Sequence, residues 1–296
     1  MAVVKCPVCQ REATKWDVVV PPNRRAGHEL FKCGICGHGF FYPPVDREEL
    51  LQFYNEQYAK RYTPDLNDAI FALRTKQYRI DAASLLEHVT HPAPSVLDFG
   101  CSTGQFLNAL PESWKKFGYE VNAFELEYIA THYQNIVTFN SLQAAMAGRY
   151  DVVILRGVIE HLFAFDELFV LLSASLNGNG LVYICATPDF DSPCARLYKS
   201  KWNQIAAIQM GGLEHYHQFT SASLAILFGR HGFGMKMLRH GYLETPYANF
   251  ASDACRFVEN CRRTSIGEPM TDCTHPYPGT MMTALLQRVE RRDDVL

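Results

Sequence analysis

The chain has 296 residues and a formal net charge of −3, and its hydrophobic fraction of 48% is enough for a buried core. This composition excludes a disordered or low-complexity protein. The near-neutral charge also disfavours a dedicated nucleic-acid-binding protein, because such domains are strongly basic. We find no apolar run of about 18 residues and no secretory signal, so we expect a cytoplasmic protein without membrane contact.

Four of the ten cysteines form two Cys-x2-Cys pairs near the N-terminus, Cys6 with Cys9 and Cys33 with Cys36. Each pair can place two thiolates on one side of a tetrahedral zinc ion, and four thiolates leave no open coordination position. The spacing therefore predicts a structural zinc ribbon over residues 1–45, remote from the chemistry. Iron at the same site, or four buried cysteines without a metal, are the alternatives.

Residues 46–92 have the pattern of a helical linker or lid. Asp46 followed by Glu49 is a capping-box signal, and apolar residues at helical spacing predict a second helix over 66–88. A proline-rich stretch at 91–94 ends this region.

From residue 93 onward, short apolar strands alternate with helices, which predicts a parallel sheet covered on both faces. In such sheets the ligand lies at the carboxyl ends of the strands. The predicted strands are 96–99, 121–124, 136–139, 151–155, 180–186, 235–239 and 281–289, with helices near 105–110, 126–133, 164–176 and 220–231.

The turn after the first of these strands reads Asp98-x-Gly100-Cys101-x-x-Gly104. Its glycines let the backbone approach a ligand closely where the next helix begins. Glu125 closes the predicted second strand, where a carboxylate can accept both hydroxyls of a ribose. An ordinary turn with a solvated acid is the alternative, but the joint spacing favours cofactor binding.

This ordered set resembles the class I S-adenosylmethionine (SAM)-dependent methyltransferases, and with the N-terminal ribbon it resembles the group related to sugar C-methyltransferases. The resemblance covers about residues 1–240, and Ser102 replaces the middle glycine of the family's first motif. It implies an α/β fold with a Rossmann-like seven-stranded sheet over residues 93–296. It also implies SAM as the cofactor, with S-adenosylhomocysteine (SAH) as the product. The expected cofactor contacts are Asp98, Gly100, Cys101, Gly104, Glu125, Ser141, Arg156 and Tyr58.

Three histidines are candidates for the catalytic base, which methyl transfer needs when the acceptor must lose a proton. His161 follows the fourth strand, and His215 and His217 lie in an aromatic segment at the end of a predicted substrate lid, 188–217. If that segment is extended, His215 and His217 point the same way. Structural roles for all three are the alternative. A metal site at this pair would need a third ligand such as Glu214 or Asp189, and we do not expect one.

Three functions remain open at this point. The first is a methyltransferase for a small-molecule acceptor, such as a sugar, a polyketide or a related metabolite. The second is an RNA-modifying methyltransferase that grips its substrate with the zinc ribbon, which the acidic pI and the lack of an Asp/Asn-Pro-Pro-aromatic motif disfavour. The third is a non-enzymatic SAM-binding partner subunit, which the histidine set disfavours. The sequence does not fix the oligomeric state.

Overall fold

The computed structural model describes residues 3–15, 28–44, 46–48, 52, 54, 69–199, 215–241, 246, 249–271 and 280–289. Tyr58, most of the linker before residue 69, and residues 200–214 of the predicted lid lie outside these ranges. No helix within the described ranges is long and apolar enough to cross a bilayer.

The N-terminal half of the described chain contains a small ribbon and the first strands of a larger sheet. In order they are β1 (Ala13–Lys15), β2 (Glu29–Cys33), β3 (Gly39–Tyr42), α1 (Ala69–Leu86), β4 (Ser95–Phe99), α2 (Gln105–Ala109), β5 (Lys115–Tyr119), α3 (Ala123–His132), β6 (Ile136–Phe139), α4 (Leu142–Met146) and β7 (Tyr150–Arg156). The helix α1 confirms the helix expected over 66–88.

The C-terminal half completes both sheets. In order it contains a 3-10 turn (Ile159–His161), α5 (Asp166–Ser175), β8 (Leu176–Pro188), α6 (Pro193–Tyr198), β9 (His217–Gln218), α7 (Ser221–Arg230), β10 (Phe233–Arg239), α8 (Phe250–Ser265) and β11 (Met281–Arg288). The sequence did not predict α8.

The large sheet has seven strands in the order β10-β11-β8-β7-β4-β5-β6. Strands β4 to β8 run parallel, and β11 is antiparallel to both of its neighbours. Adjacent residues alternate between two hydrophobic clusters, with Leu97 and Val153 in one and Val96 and Val152 in the other. Both faces of the sheet are therefore buried, as the strand–helix alternation predicted.

The predicted second strand at 121–124 is wrong. The strand is β5, and residues after it form α3, whose N-cap Asn122 accepts hydrogen bonds from the backbone N–H groups of Phe124 and Glu125. An asparagine in this position satisfies the otherwise unpaired donors of the first helical turn. The strand itself was missed because it contains Lys116, which is buried and donates to the Leu110 carbonyl at 2.9 Å.

The ribbon is a small antiparallel sheet in the order β1-β2-β3-β9. Its fourth strand, β9, comes much later in the chain, after the last parallel strand β8. It pairs with Gly39 and Phe40 of β3. One hydrophobic cluster includes Val8 and Phe40 of the ribbon together with Leu97 and Val153 of the large sheet. Ribbon and sheet therefore share a core.

Candidate active site

A cavity of about 600 Å³ opens at the carboxyl ends of β4, β5 and β7. Many of its lining residues come from the glycine-rich turn, from the start of α3 and from the segment after β7. The lining includes Gly100, Ser102, Glu120, Glu125, Arg156, Glu160, His161 and His215. This is the edge of the sheet at which the sequence predicted a ligand site.

The turn after β4 has a backbone that favours glycine. Gly100 has φ +78°, and a Cβ atom there would lie 2.8 Å from a methyl group of Val158. Ser102, in place of the family's glycine, still adopts the left-handed region at φ +46°. Its hydroxyl donates to Glu125 Oε1 at 2.7 Å, so the serine connects the turn to the first turn of α3.

Two glutamates, Glu120 and Glu125, meet beside this turn. Glu120 is the residue that closes β5, and its carboxylate accepts hydrogen bonds from the backbone N–H groups of Ser102 at 3.0 Å and Val121 at 2.8 Å. Burial raises the pKa of Glu120, and burial together with the negative charge of Glu120 raises the pKa of Glu125 to about 8. The acid at the end of the second strand is therefore Glu120, which sequence reasoning missed because it misplaced the strand. Glu125 reaches the same cavity from the first turn of α3.

The other expected cofactor residues divide into two groups. Arg156 lines the cavity, where Asp81 pairs with its guanidinium at 2.8 Å. Asp98, Cys101 and Gly104 shape the turn but are not among the described lining residues. Asp98 is buried, which raises its pKa to about 8, and its Oδ1 has no hydrogen-bond partner among the described residues.

Ser141 also lies apart from the cavity in the described structure. It is the N-cap of α4, and its hydroxyl accepts a hydrogen bond from the Ala144 backbone N–H at 3.3 Å. Its expected contact with the cofactor stays a prediction.

Glu160, His161 and His215 come together in the lining of the same cavity. One side-chain ligand atom of each lies within 4.8 Å of the other two, and the two imidazole rings are 4.6 Å apart and nearly perpendicular. Thr187 donates to Glu160 Oε2 at 3.1 Å, and the Tyr54 hydroxyl is 3.1 Å from His161 Nδ1. Burial raises the pKa of Glu160 to about 7.

His217 does not line the cavity, and the expectation that it faces the same way as His215 is wrong. Its Nδ1 atom is 3.1 Å from Nε2 of His38, and its ring packs against Phe165 at 4.4 Å. His217 is paired with Phe40 of β3, and its side chain is buried between the ribbon and the large sheet. Burial lowers the pKa of His217 to about 3, so it stays neutral.

The four N-terminal cysteines form a compact cluster of free thiols. The Sγ atoms of Cys6 and Cys36 are 3.6 Å apart, those of Cys9 and Cys33 are 3.4 Å apart, and all four lie within 4.8 Å of one another. Thiolates bound to one tetrahedral zinc ion at about 2.3 Å are separated by about 3.8 Å. The residues therefore fit the structural zinc that their spacing predicted.

Similar folds occur in two solved methyltransferase structures. The magnesium protoporphyrin IX methyltransferase of Synechocystis PCC 6803, with bound SAH, has a TM-score of 0.54 and 16% identity, over 82% of this chain and 100% of that one. The 1,6-didemethyltoxoflavin-N1-methyltransferase of Burkholderia thailandensis, with bound 1,6-didemethyltoxoflavin and SAH, has a TM-score of 0.50 and 12% identity, over 89% and 96%. At these identities the likeness shows the fold alone.

No curated protein matches the chain at a significant level. Residues 54–236 match a protein family described as "Methyltransferase domain". This match spans the glycine-rich turn, the two glutamates beside it, and the cluster of Glu160, His161 and His215. With its seven-stranded sheet of the class I SAM-dependent methyltransferase type, the chain belongs to the methyltransferase-domain family.

Proposed function

We propose that this protein is a SAM-dependent methyltransferase for a small-molecule acceptor, such as a sugar, a polyketide or a related metabolite. One observation carries the proposal. A single cavity joins a glycine-rich turn and two buried acids to a group of one carboxylate and two imidazoles. Two proteins with this fold have structures with bound SAH and act, by their names, on a porphyrin and on a toxoflavin precursor.

The turn and the two acids form the cofactor half of the cavity. Gly100 allows close approach of the backbone, and Glu120 and Glu125 offer carboxylate oxygens to ribose hydroxyls. SAM supplies an electrophilic methyl group on a sulfonium sulfur. The Glu120 carboxylate is already oriented by backbone N–H donors, so little reorganisation is needed on binding.

His161 and His215 form the acceptor half with Glu160. The acceptor atom must lie in line with the departing sulfur, about 3 Å from the methyl carbon. The acceptor's lone pair forms the new bond to carbon while the electrons of the carbon–sulfur bond remain on sulfur. A proton lost by the acceptor passes to an imidazole of His161 or His215, each of which lines the cavity. His217 is left with a structural role.

SAH binding tests the cofactor half directly. We expect SAH, but not NADH or ATP, to raise the melting temperature, because only SAH fits the folded site. Glu120→Gln and Glu125→Gln should each weaken SAH binding in calorimetry by about 10- to 100-fold, the loss expected for a charge-assisted hydrogen bond. Glu127→Gln, which is exposed on the same helix, is the matched control. Absence of SAH binding by the wild-type protein would refute the proposed function.

A further inference from the structure

Glu160, His161 and His215 have the composition of a metal site that is separate from the four cysteines. Glu160 and His161 are adjacent in the 3-10 turn after β7, whereas His215 lies just before β9. Two imidazoles and one carboxylate are the ligand set of catalytic zinc sites and of non-haem iron sites. Both kinds of site keep coordination positions open for a substrate.

The geometry requires only a small adjustment to hold an ion. The three ligand atoms lie within 4.8 Å of one another. Ligands bound to one ion at about 2.0–2.2 Å lie about 3 Å apart, so each side chain needs to move inward by roughly 1 Å. Rotation of the two imidazoles, which meet edge to face, can supply this movement.

Neighbouring groups orient two of the three ligands. Thr187 donates to one oxygen of the Glu160 carboxylate, and the Tyr54 hydroxyl hydrogen-bonds to Nδ1 of His161. A metal-binding histidine that coordinates through Nε2 commonly makes this type of hydrogen bond through Nδ1. The site thus has supporting contacts as well as ligands.

We propose that Glu160, His161 and His215 bind a first-row divalent transition-metal ion that orients and activates a hydroxyl or enol oxygen of the acceptor. Binding of the ion does not depend on the proposed function, but its role in the reaction rests on it. All three ligands line the cavity, so an acceptor oxygen bound there could complete the coordination of the ion, whose positive charge would lower the pKa of that oxygen. With the ion bound, His161 and His215 are ligands instead of bases, so the acceptor loses its proton to water. The acceptor oxygen then forms the new bond to the methyl carbon, and the electron pair of the broken carbon–sulfur bond stays on sulfur.

Cobalt(II) is a suitable probe, with the full chain retaining zinc in its ribbon. After mild chelation, we expect the protein to take up one further equivalent of Co²⁺ in a saturable manner. Its visible spectrum should show weak bands of nitrogen and oxygen ligands, without intense thiolate-to-cobalt absorption. Total metal content should rise from one to two ions per chain.

Variants identify the ligands. Glu160→Gln, His161→Ala and His215→Ala should each weaken Co²⁺ binding by more than about tenfold, and Tyr54→Phe by about tenfold through the loss of orientation. His132→Ala, an exposed histidine on α3, and Glu167→Gln, a carboxylate at the cavity rim, are the matched controls and should bind Co²⁺ normally. Retained SAH binding shows that each variant is folded.

The outcomes separate this proposal from the function on which its role rests. No saturable Co²⁺ uptake by the wild-type protein, or uptake that persists in all three ligand variants, would overturn the metal site. Full turnover with only the ribbon zinc present would overturn the role of the second ion in the reaction and would leave the two histidines as bases. Failure to bind SAH would instead refute the proposed function while Co²⁺ uptake remained a separate result.

Discussion

At the scale of single residues, the cofactor half of the cavity depends on two carboxyl groups that share a small buried space. Ser102 connects them, because its backbone N–H donates to Glu120 and its hydroxyl donates to Glu125. Burial and mutual repulsion favour a proton on Glu125, whose pKa is raised to about 8. A ribose that donates hydrogen bonds to both acids favours their ionised forms.

The raised pKa of Glu125 predicts how stability depends on pH without ligand. The unfolded chain loses the Glu125 proton near pH 4.5, whereas the folded protein keeps it until about pH 8. The stability that this group contributes is therefore present below about pH 4.5 and is lost as the pH rises to about 8. We expect Glu125→Gln to reduce the fall in the free energy of unfolding between pH 5.5 and 8, measured by urea denaturation.

Asp98 and Glu160 also have raised pKa values and also lower the stability as the pH rises, so the comparison with the variant separates the Glu120–Glu125 pair from these two groups. Glu127→Gln serves as the control for a charge change on α3. Equal pH dependence in the wild-type protein and Glu125→Gln would show that Glu125 is ionised throughout this range.

At the scale of elements, the ribbon reaches the acceptor half of the cavity through β9. His217 and Gln218 pair with β3, and the Phe41 backbone N–H donates to the Tyr216 carbonyl at 3.2 Å. His215 is the next residue toward the N-terminus and lines the cavity. Order in the ribbon therefore supports a residue that lines the cavity.

Loss of the ribbon metal should loosen this connection. We expect one zinc ion per chain and expect Cys33→Ser to lose it, because a structural zinc site is coupled to folding. In the variant, hydrogen exchange should become faster both in β3 and at residues 215–220, while β10 and β11 remain protected. Metal analysis and exchange mass spectrometry test this expectation. Zinc-free wild-type protein, or unchanged protection at 215–220, would contradict it.

At the scale of the whole molecule, ribbon and sheet form one folding unit because their apolar side chains meet. Phe219 is fully buried at this junction, with its ring 4.7 Å from that of His38 and 5.8 Å from that of Phe165. The Thr220 hydroxyl, which caps α7, also donates to the Cys36 carbonyl at 2.9 Å. The second cysteine pair is thus tied to a helix of the large domain.

This shared core predicts a single unfolding transition for the zinc-loaded protein. We expect Phe219→Ala to lower the free energy of unfolding by about 3–5 kcal/mol, the usual cost of removing a buried aromatic ring. Val258→Ala, at an exposed position on α8, should change it by less than about 0.5 kcal/mol. Calorimetry checks both values. A separate ribbon transition would contradict a common core.

The sequence by itself determined the features that depend on local chemistry. Closely spaced cysteines encode the four-thiol cluster, and glycines in the turn after β4 encode a backbone with positive φ at Gly100 and Gly104. Alternation of apolar strands and helices encodes the parallel sheet. Each of these properties is carried by neighbouring residues, so a short stretch of sequence is enough to predict it.

Only the tertiary structure decided which distant side chains meet. The acid that follows the second strand is Glu120, and not Glu125 as the sequence had predicted. The buried Lys116 of β5 interrupts the apolar pattern by which a strand is recognised. His215 lies close to Glu160 and His161, whereas His217 contacts His38 of the ribbon. These contacts follow from the pairing of β9 with β3 and from the packing of separate segments, and such long-range geometry leaves no local periodicity in the sequence.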